Sequence, residues 1–257
     1  FTPEAISLAE QAQPVKISDG REDLRDINLI TVDGEDARDF DDAIWAEEDK
    51  NPHNSNGWKM IVAIADVAHY VSNGDPLDID ARKRGNSVYF ADRVVPMLPE
   101  NLSNGLCSLK PNEDRGCLAV EIIIDQFGHK KSHRFIRGVM RSKARLTYEQ
   151  LEETFNGNKN ACSPEIMKLA KSLRGAYNAL SDAREKRGAL NIETTEKVIK
   201  INDNGKIDSI LPRERLESHK VIEEFMVTAN VCAAETLEEK MQTCVYRIHD
   251  VPSEDKI

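Results

Sequence analysis

The residues with the most chemical content lie in one short segment: Thr31-Val32-Asp33-Gly34-Glu35-Asp36-Ala37-Arg38-Asp39-Phe40-Asp41-Asp42-Ala43. Five Asp and one Glu fall within ten residues, 33–42. Carboxylates packed this closely disfavour one another's charge unless cations compensate. Hard divalent ions such as Mg²⁺ take oxygen ligands and keep positions open for water and phosphate. Two such ions can activate a water and stabilise the leaving oxygen of a phosphodiester. A solvated acidic loop is the plainer alternative. Against it, Val32, Phe40, Ala43 and Ile44 interrupt the acids and would anchor the segment to a core. A calcium EF-hand fails: with Asp33 as loop position 1, position 6 is Arg38 rather than Gly and position 12 is Ile44 rather than Glu.

A strand must deliver this segment, and Ile27 to Val32, apolar and β-branched, reads as one. Lys59 to Val71 is a strongly apolar run, best read as a buried strand and its exit, with a turn over 51–57 before it. Pro76 to Arg84 reads as a helix capped by Asp75. Ser87 to Ala91 reads as a short strand, and Pro96 to Lys110 as a loop with little periodicity. Cys117–Asp125 and Lys131–Ser142 form a hairpin around Gln126-Phe127-Gly128-His129. Helices follow over Thr147–Phe155, with an N-terminal turn suited to Thr147, and from Ser163-Pro164-Glu165 to about Lys186. Leu190–Ile201 and Lys206–Leu211 read as paired strands across Asp203-Asn204-Gly205. From Arg213 to Lys240 apolar residues recur at helical spacing (Leu216, Ile222, Phe225, Met226, Ala229, Cys232, Ala233, Leu237), a one-sided helix that packs on a sheet. Cys244 to Ile248 reads as a final strand. The class is mixed α+β.

The chain's 257 residues are enough for a sizeable core without covalent staples. No apolar run is long enough to span a bilayer, so no membrane partner is expected. The N-terminus, Phe1-Thr2-Pro3-Glu4, lacks the features of a signal peptide and reads as a cut inside a longer protein. Five scattered cysteines without a C-x-x-C pair point to free thiols in a reducing cytoplasm rather than to a disulfide framework or a zinc site. A net charge of −10 argues against a basic nucleic-acid-binding surface and implies weak RNA affinity for this chain alone. It leaves room for a nuclease, whose metal needs local carboxylates.

The segment D-G-E-D-A-R-D-F-D-D-A resembles the metal-binding signature of the ribonuclease II/ribonuclease R family catalytic domain, the RNB domain. Other segments agree in order: V-A-I-A-D-V-A at 62–68, R-G-N-S-V-Y-F at 84–90, P-M-L-P-E-N-L-S-N-G-L-C-S-L at 96–109, A-R-L-T-Y at 144–148, H-K-V-I-E-E-F-M-V-T-A-N at 219–230 and R-I-H-D at 247–250. The wording is closer to the ribonuclease R branch.

The resemblance implies an RNB-type α+β fold, a mixed and mostly antiparallel sheet flanked by helices and truncated at its C-terminal side. Residues 1–26 would be a linker or helix leading in, and 27–257 the catalytic domain. The implied activity is processive, Mg²⁺-dependent 3′→5′ hydrolysis of single-stranded RNA to nucleoside 5′-monophosphates, with Mn²⁺ as a substitute ion. Asp33, Asp39, Asp41 and Asp42 match the family's metal aspartates. Asp33 and Asp42 would be direct ligands; Asp39 and Asp41 would serve a second ion, a water or the terminal nucleotide, and carry catalysis. Tyr89 matches an aromatic that stacks on the 3′-terminal base, a sequence-tolerant contact. Tyr148 and Glu223 match residues that sense ribose, where a 2′-OH separates RNA from DNA. Ile192 is aliphatic where the family often has a second aromatic. The family's catalytic arginine lies downstream of R-I-H-D, beyond Ile257, so an inactive RNA- and metal-binding fragment stands as the alternative.

Overall fold

Near-continuous apolar, β-branched runs such as Met60–Ala65, cut by Gly, Pro and Asn turns, favour a sheet buried on both faces. The computed structural model describes residues 1–90, 92–189, 197–202, 204, 206–212, 214–246 and 248. In chain order these form α1 (Pro3–Gln11), β1 (Glu22–Asp23), β2 (Ile30–Asp33), β3 (Asp42–Glu48), β4 (Trp58–Ala65), α2 (Pro76–Arg84), β5 (Val88–Tyr89) and β6 (Val94–Val95). There follow β7 (Asp114–Ile124), β8 (Lys130–Arg141), β9 (Ala144–Thr147), α3 (Tyr148–Phe155), α4 (Pro164–Lys186), β10 (Lys197–Ile201), β11 (Ile207–Pro212) and α5 (Glu217–Glu239).

Seven strands make one mixed, mostly antiparallel sheet in the order β1-β8-β7-β4-β3-β2-β9. Only the outer pairs, β1 with β8 and β2 with β9, are parallel. Period two divides each central strand between two cores. Met60 and Val62 of β4 join Ile44, Val120 and Ile122 beneath the face covered by α3, α4 and α5. Ile61 and Ala63 join Ala43, Ala119 and Ile136 on the other face, with Ala5 and Ala9 of α1, Leu77 of α2, and Leu102 and Leu109 from the following loop. Residues 1–26 are built into this second core: Asp80 accepts the Thr2 N–H at 2.7 Å, and β1 pairs with β8.

Helix starts obey their capping chemistry. Asp75 accepts from the Asp78 N–H and Ser163 from the Ile166 N–H, each ahead of a first-turn proline. Thr147 and Gln150 cap each other reciprocally at α3. The central hairpin turns at Gly128, whose φ of +78° and position against the Ala179 carbonyl leave no room for a Cβ.

Three expectations are adjusted. The first strand begins at Ile30 instead of Ile27, because the Ile27 N–H closes a turn onto the Leu24 carbonyl at 3.1 Å. The 87–91 strand is one arm of a separate two-stranded hairpin, β5–β6. The expected strand over Cys244–Ile248 is absent among the described residues: Val245 and Ile248 lie outside any strand and are 96% and 82% exposed. Residues 190–196, including Ile192, and most of R-I-H-D lie outside the described residues. All five thiols are free, and no helix among the described residues is long and apolar enough to cross a membrane.

Candidate active site

β2 ends at Asp33 and β3 begins at Asp42, with Ile30 and Ile44 paired farther in. The acidic residues between them therefore span the gap where two adjacent strands part at one end of the sheet. Asp33 Oδ1 accepts the Gly34 N–H at 2.7 Å. Asp42 is in register with Ile64 of β4, and its Oδ2 is buried without a hydrogen-bond partner. Burial, followed by the charges of Asp33 and Asp41, pushes the Asp42 carboxyl up to about 7. Burial, then Asp39 and Asp33, pushes Asp41 up to about 6. Asp33, Asp39, Asp41 and Asp42 thus share one electrostatic neighbourhood, in which ionisation of Asp41 and Asp42 is opposed.

A divalent cation fits this arrangement. The donors are hard carboxylate oxygens, one of them buried and unpaired, and the charges of neighbouring carboxylates raise the pKa values of Asp41 and Asp42. Among the described residues no three His, Cys, Asp or Glu side chains converge closely enough to make a metal cage by themselves. Mg²⁺ characteristically takes one or two carboxylates and completes its shell with water and phosphate, so an all-protein cage is not required.

The β5–β6 hairpin places Tyr89 over this segment. Its hydroxyl donates to Asp39 Oδ2 at 3.2 Å, and the side chain is 66% exposed, open to a stacking partner. Burial, Asp39 and Asp41 raise the Tyr89 pKa, which keeps the phenol protonated.

A second cluster begins next door. Asp33 is in register with Thr147, so Tyr148, the first residue of α3, leaves the sheet beside the acidic segment. The Tyr148 ring stacks on His219 at 4.0 Å and 14°. Glu223 lies one turn further along α5, bound to Arg215 at 2.5 Å and to Arg184 at 3.6 Å. The structure therefore groups Asp33, Asp39, Asp41, Asp42 and Tyr89 together, and ties Tyr148 and Glu223 to each other through the α5 face that carries His219.

Sequence reasoning missed His219, Arg184 and Arg215, which orient Tyr148 and Glu223. It also missed Ser108 and Arg145, which grip the backbone of the acidic segment. Ser108 and Arg145 both lie inside the segments that carry the resemblance, but nothing in their type marks a carbonyl or amide as their partner.

Residues 21–257 match the RNB domain family. The chain belongs to that family. It is 44% identical over 97% of its length to Ribonuclease R of Vibrio parahaemolyticus, of which it spans 30%. Its fold superposes with a TM-score of 0.92 on Mycoplasma genitalium RNase R in complex with ribose methylated single-stranded RNA, at 30% identity over the whole chain and 40% of that protein. The same RNase R in complex with double-stranded RNA superposes with a TM-score of 0.92. The chain thus spans about a third of the length of the curated relatives it matches, and this third of the RNB proteins contains the complete acidic segment.

Proposed function

We propose that this chain carries the metal-binding part of an exoribonuclease active site that hydrolyses single-stranded RNA from its 3′ end, releasing nucleoside 5′-monophosphates. The observation that carries the reading is the pair Asp41 and Asp42, set beside Asp33 and Asp39, with pKa values raised to about 6 and 7 by desolvation and by the neighbouring carboxylates. Four carboxylates that oppose one another's charge are a poor stability device and a good cation site. Mg²⁺ bound there, or Mn²⁺ in its place, supplies a nucleophilic water at neutral pH and stabilises the leaving 3′ oxygen.

The chain's own residues do the rest. Asp33 and Asp42 hold the ion, one from each strand end. Asp39 and Asp41 orient what faces the scissile phosphate. Tyr89 stacks on the terminal base while its hydroxyl stays on Asp39, linking occupancy of the base site to a catalytic carboxylate. Tyr148 and Glu223 receive the ribose, where a hydroxyl and a carboxylate can both bond a 2′-OH. The relatives solved with RNA support a nucleic-acid ligand of this class.

The test is hydrolysis of 5′-labelled single-stranded RNA by the chain in Mg²⁺ and in EDTA, beside a DNA oligomer of the same sequence. The expected result is a Mg²⁺-dependent ladder that shortens from the 3′ end on RNA alone. Asp41→Asn should abolish it while circular dichroism and melting stay native. Turnover retained in Asp41→Asn would remove that residue from the catalytic role. Metal binding with intact RNA would identify this stretch as the metal- and RNA-binding part, dependent on other segments for cleavage.

A further inference from the structure

Clustered aspartates push their backbone apart, so something must hold residues 33–42 in place. Hydrophobic anchoring reaches only part of the segment: its exposed middle, residues 34–41, adds just Phe40 to the core on the α1–α2 face of the sheet. Two side chains from elsewhere in the chain supply the remaining restraint, one at each flank.

On the Asp39–Asp41 flank stands Ser108, fully buried. Its hydroxyl donates to the Arg38 carbonyl at 2.9 Å and accepts the Phe40 N–H at 3.0 Å, bridging both peptides around Asp39. The Leu109 N–H donates to the Phe40 carbonyl at 2.8 Å, which fixes the peptide leading into Asp41. Ser108 is itself immobilised. It follows a π-type turn over Leu102–Leu106, closed by the Cys107 N–H on the Leu102 carbonyl at 2.8 Å. The buried Arg115 donates to the Ser108 carbonyl at 2.8 Å. Turns of this kind are rare and concentrate at functional sites.

On the Asp33 flank stands Arg145, in the strand that pairs with β2. Its guanidinium donates to the carbonyls of Gly34 at 2.5 Å and Glu35 at 2.7 Å and lies 5.5 Å from the Phe40 ring centroid. It thus spans from the first flank toward the second and places a positive charge beside the segment. Neither side chain needs to touch RNA or metal to do this.

We propose that Ser108 and Arg145 are positioning residues, a two-point backbone clamp that holds Asp33, Asp39, Asp41 and Asp42 in their cation-binding arrangement. The proposal rests on the reading of this segment as a metal site. Groups that orient metal ligands from behind typically govern affinity as well as geometry.

The test is direct binding of Mn²⁺ to the chain, followed by electron paramagnetic resonance of the free ion, with no RNA present. The variants are Ser108→Ala, Ser108→Thr, Arg145→Gln and Asp42→Asn. The clamp predicts that Ser108→Ala and Arg145→Gln each weaken Mn²⁺ binding by about 10–100-fold, with native circular dichroism and a cooperative melt at the assay temperature. Ser108→Thr, which keeps the hydroxyl, should recover most of the affinity; a residue that only stabilises the fold would shift the melt and leave the affinity of the folded protein alone. Wild-type affinity in both Ser108→Ala and Arg145→Gln, with binding lost in Asp42→Asn, overturns the clamp and leaves the metal site standing. Wild type binding Mn²⁺ no better than Asp42→Asn overturns the metal reading and the clamp with it. Should Ser108→Ala be unfolded at the assay temperature, Arg145→Gln, at the less buried flank, decides by the same criterion.

Discussion

Asp42 is costly to the fold without a cation, and the cost has a pH signature. Its carboxyl titrates at about 7 when folded, raised first by burial and then by Asp33 and Asp41, against an ordinary value of 3.8. Between these two values the folded chain binds a proton that the unfolded chain does not. Stability contributed by this group is therefore complete below about pH 4 and falls as pH rises toward 7, by about 1.4 kcal/mol per unit for one proton. In EDTA, Asp42→Asn should match wild type near pH 4, gain on it through neutrality, and hold a constant lead of a few kcal/mol above pH 7. Excess Mg²⁺ should erase that lead by stabilising only the ionised wild type. Urea unfolding of both proteins across pH 4–8 checks this; a gap independent of pH would show that the raised pKa is wrong. At this scale the sequence was most readable where the candidate side chains share one short segment. Asp33, Asp39, Asp41 and Asp42 are close in type and spacing, and the fold brings the distant Tyr89 onto Asp39. Ser108 and Arg145 escaped because their partners are backbone atoms about 70 and 110 residues away in sequence.

The elements that carry these residues were legible where local chemistry decides them. Helices α2, α3 and α4 begin at side-chain caps that can be read from the sequence, and β7–β8 turns where Gly128 permits it. They were not legible where a distant partner decides. The apolar run over Cys244–Ile248 has strand-like composition, yet its described residues Val245 and Ile248 stay exposed outside any strand, and β2 shortens because the residues before it close a turn. Helix α4 shows the same conflict between local and tertiary preference within one residue. Gly175 sits in its interior, where Gly costs about 1 kcal/mol relative to Ala, so propensity alone says that Gly175→Ala stabilises. A Cβ there would meet Trp58 Cη2 at 2.3 Å and Cζ2 at 2.4 Å, inside any real contact. Overpacking of this kind costs about 1–3 kcal/mol, and the expected outcome is net destabilisation. Trp58→Leu removes the clashing ring atoms, so in the double mutant the Gly175→Ala penalty should vanish or reverse. Thermal unfolding of the four-member cycle reads the coupling directly; additive effects would mean that α4 and β4 do not meet as described.

At the scale of the whole molecule, charge decides what this chain can do with RNA before chemistry begins. The strand richest in cations, β8, spends them on acids: Lys130 on Glu235, Arg134 on Glu22, Arg137 on Asp66 and Arg141 on Asp114. Arg25, Arg174, Arg184 and Arg215 are paired likewise, and 45 acidic residues still outnumber 35 basic ones. A cation already paired releases few counterions on meeting a phosphate, so each neutralised phosphate must be gained against an existing ion pair. Single-stranded RNA binding has a salt slope of about −0.7 per phosphate contacted. The expected slope for this chain, measured by fluorescence anisotropy in Mg²⁺, is about −1 to −2, from a few contacts near the aspartates. Affinity should be weak and should drop sharply in EDTA, because the ion rather than a basic groove would join the phosphate to the protein. A steep slope, equivalent to about six or more phosphates and unaffected by EDTA, would mean that the ion pairs on β8 open to RNA. The chain would then bind through the cations of β8 and not through the segment between β2 and β3. The shallow, metal-dependent outcome ties whole-molecule affinity to the same segment in which burial, Asp33 and Asp41 set the pH profile of Asp42.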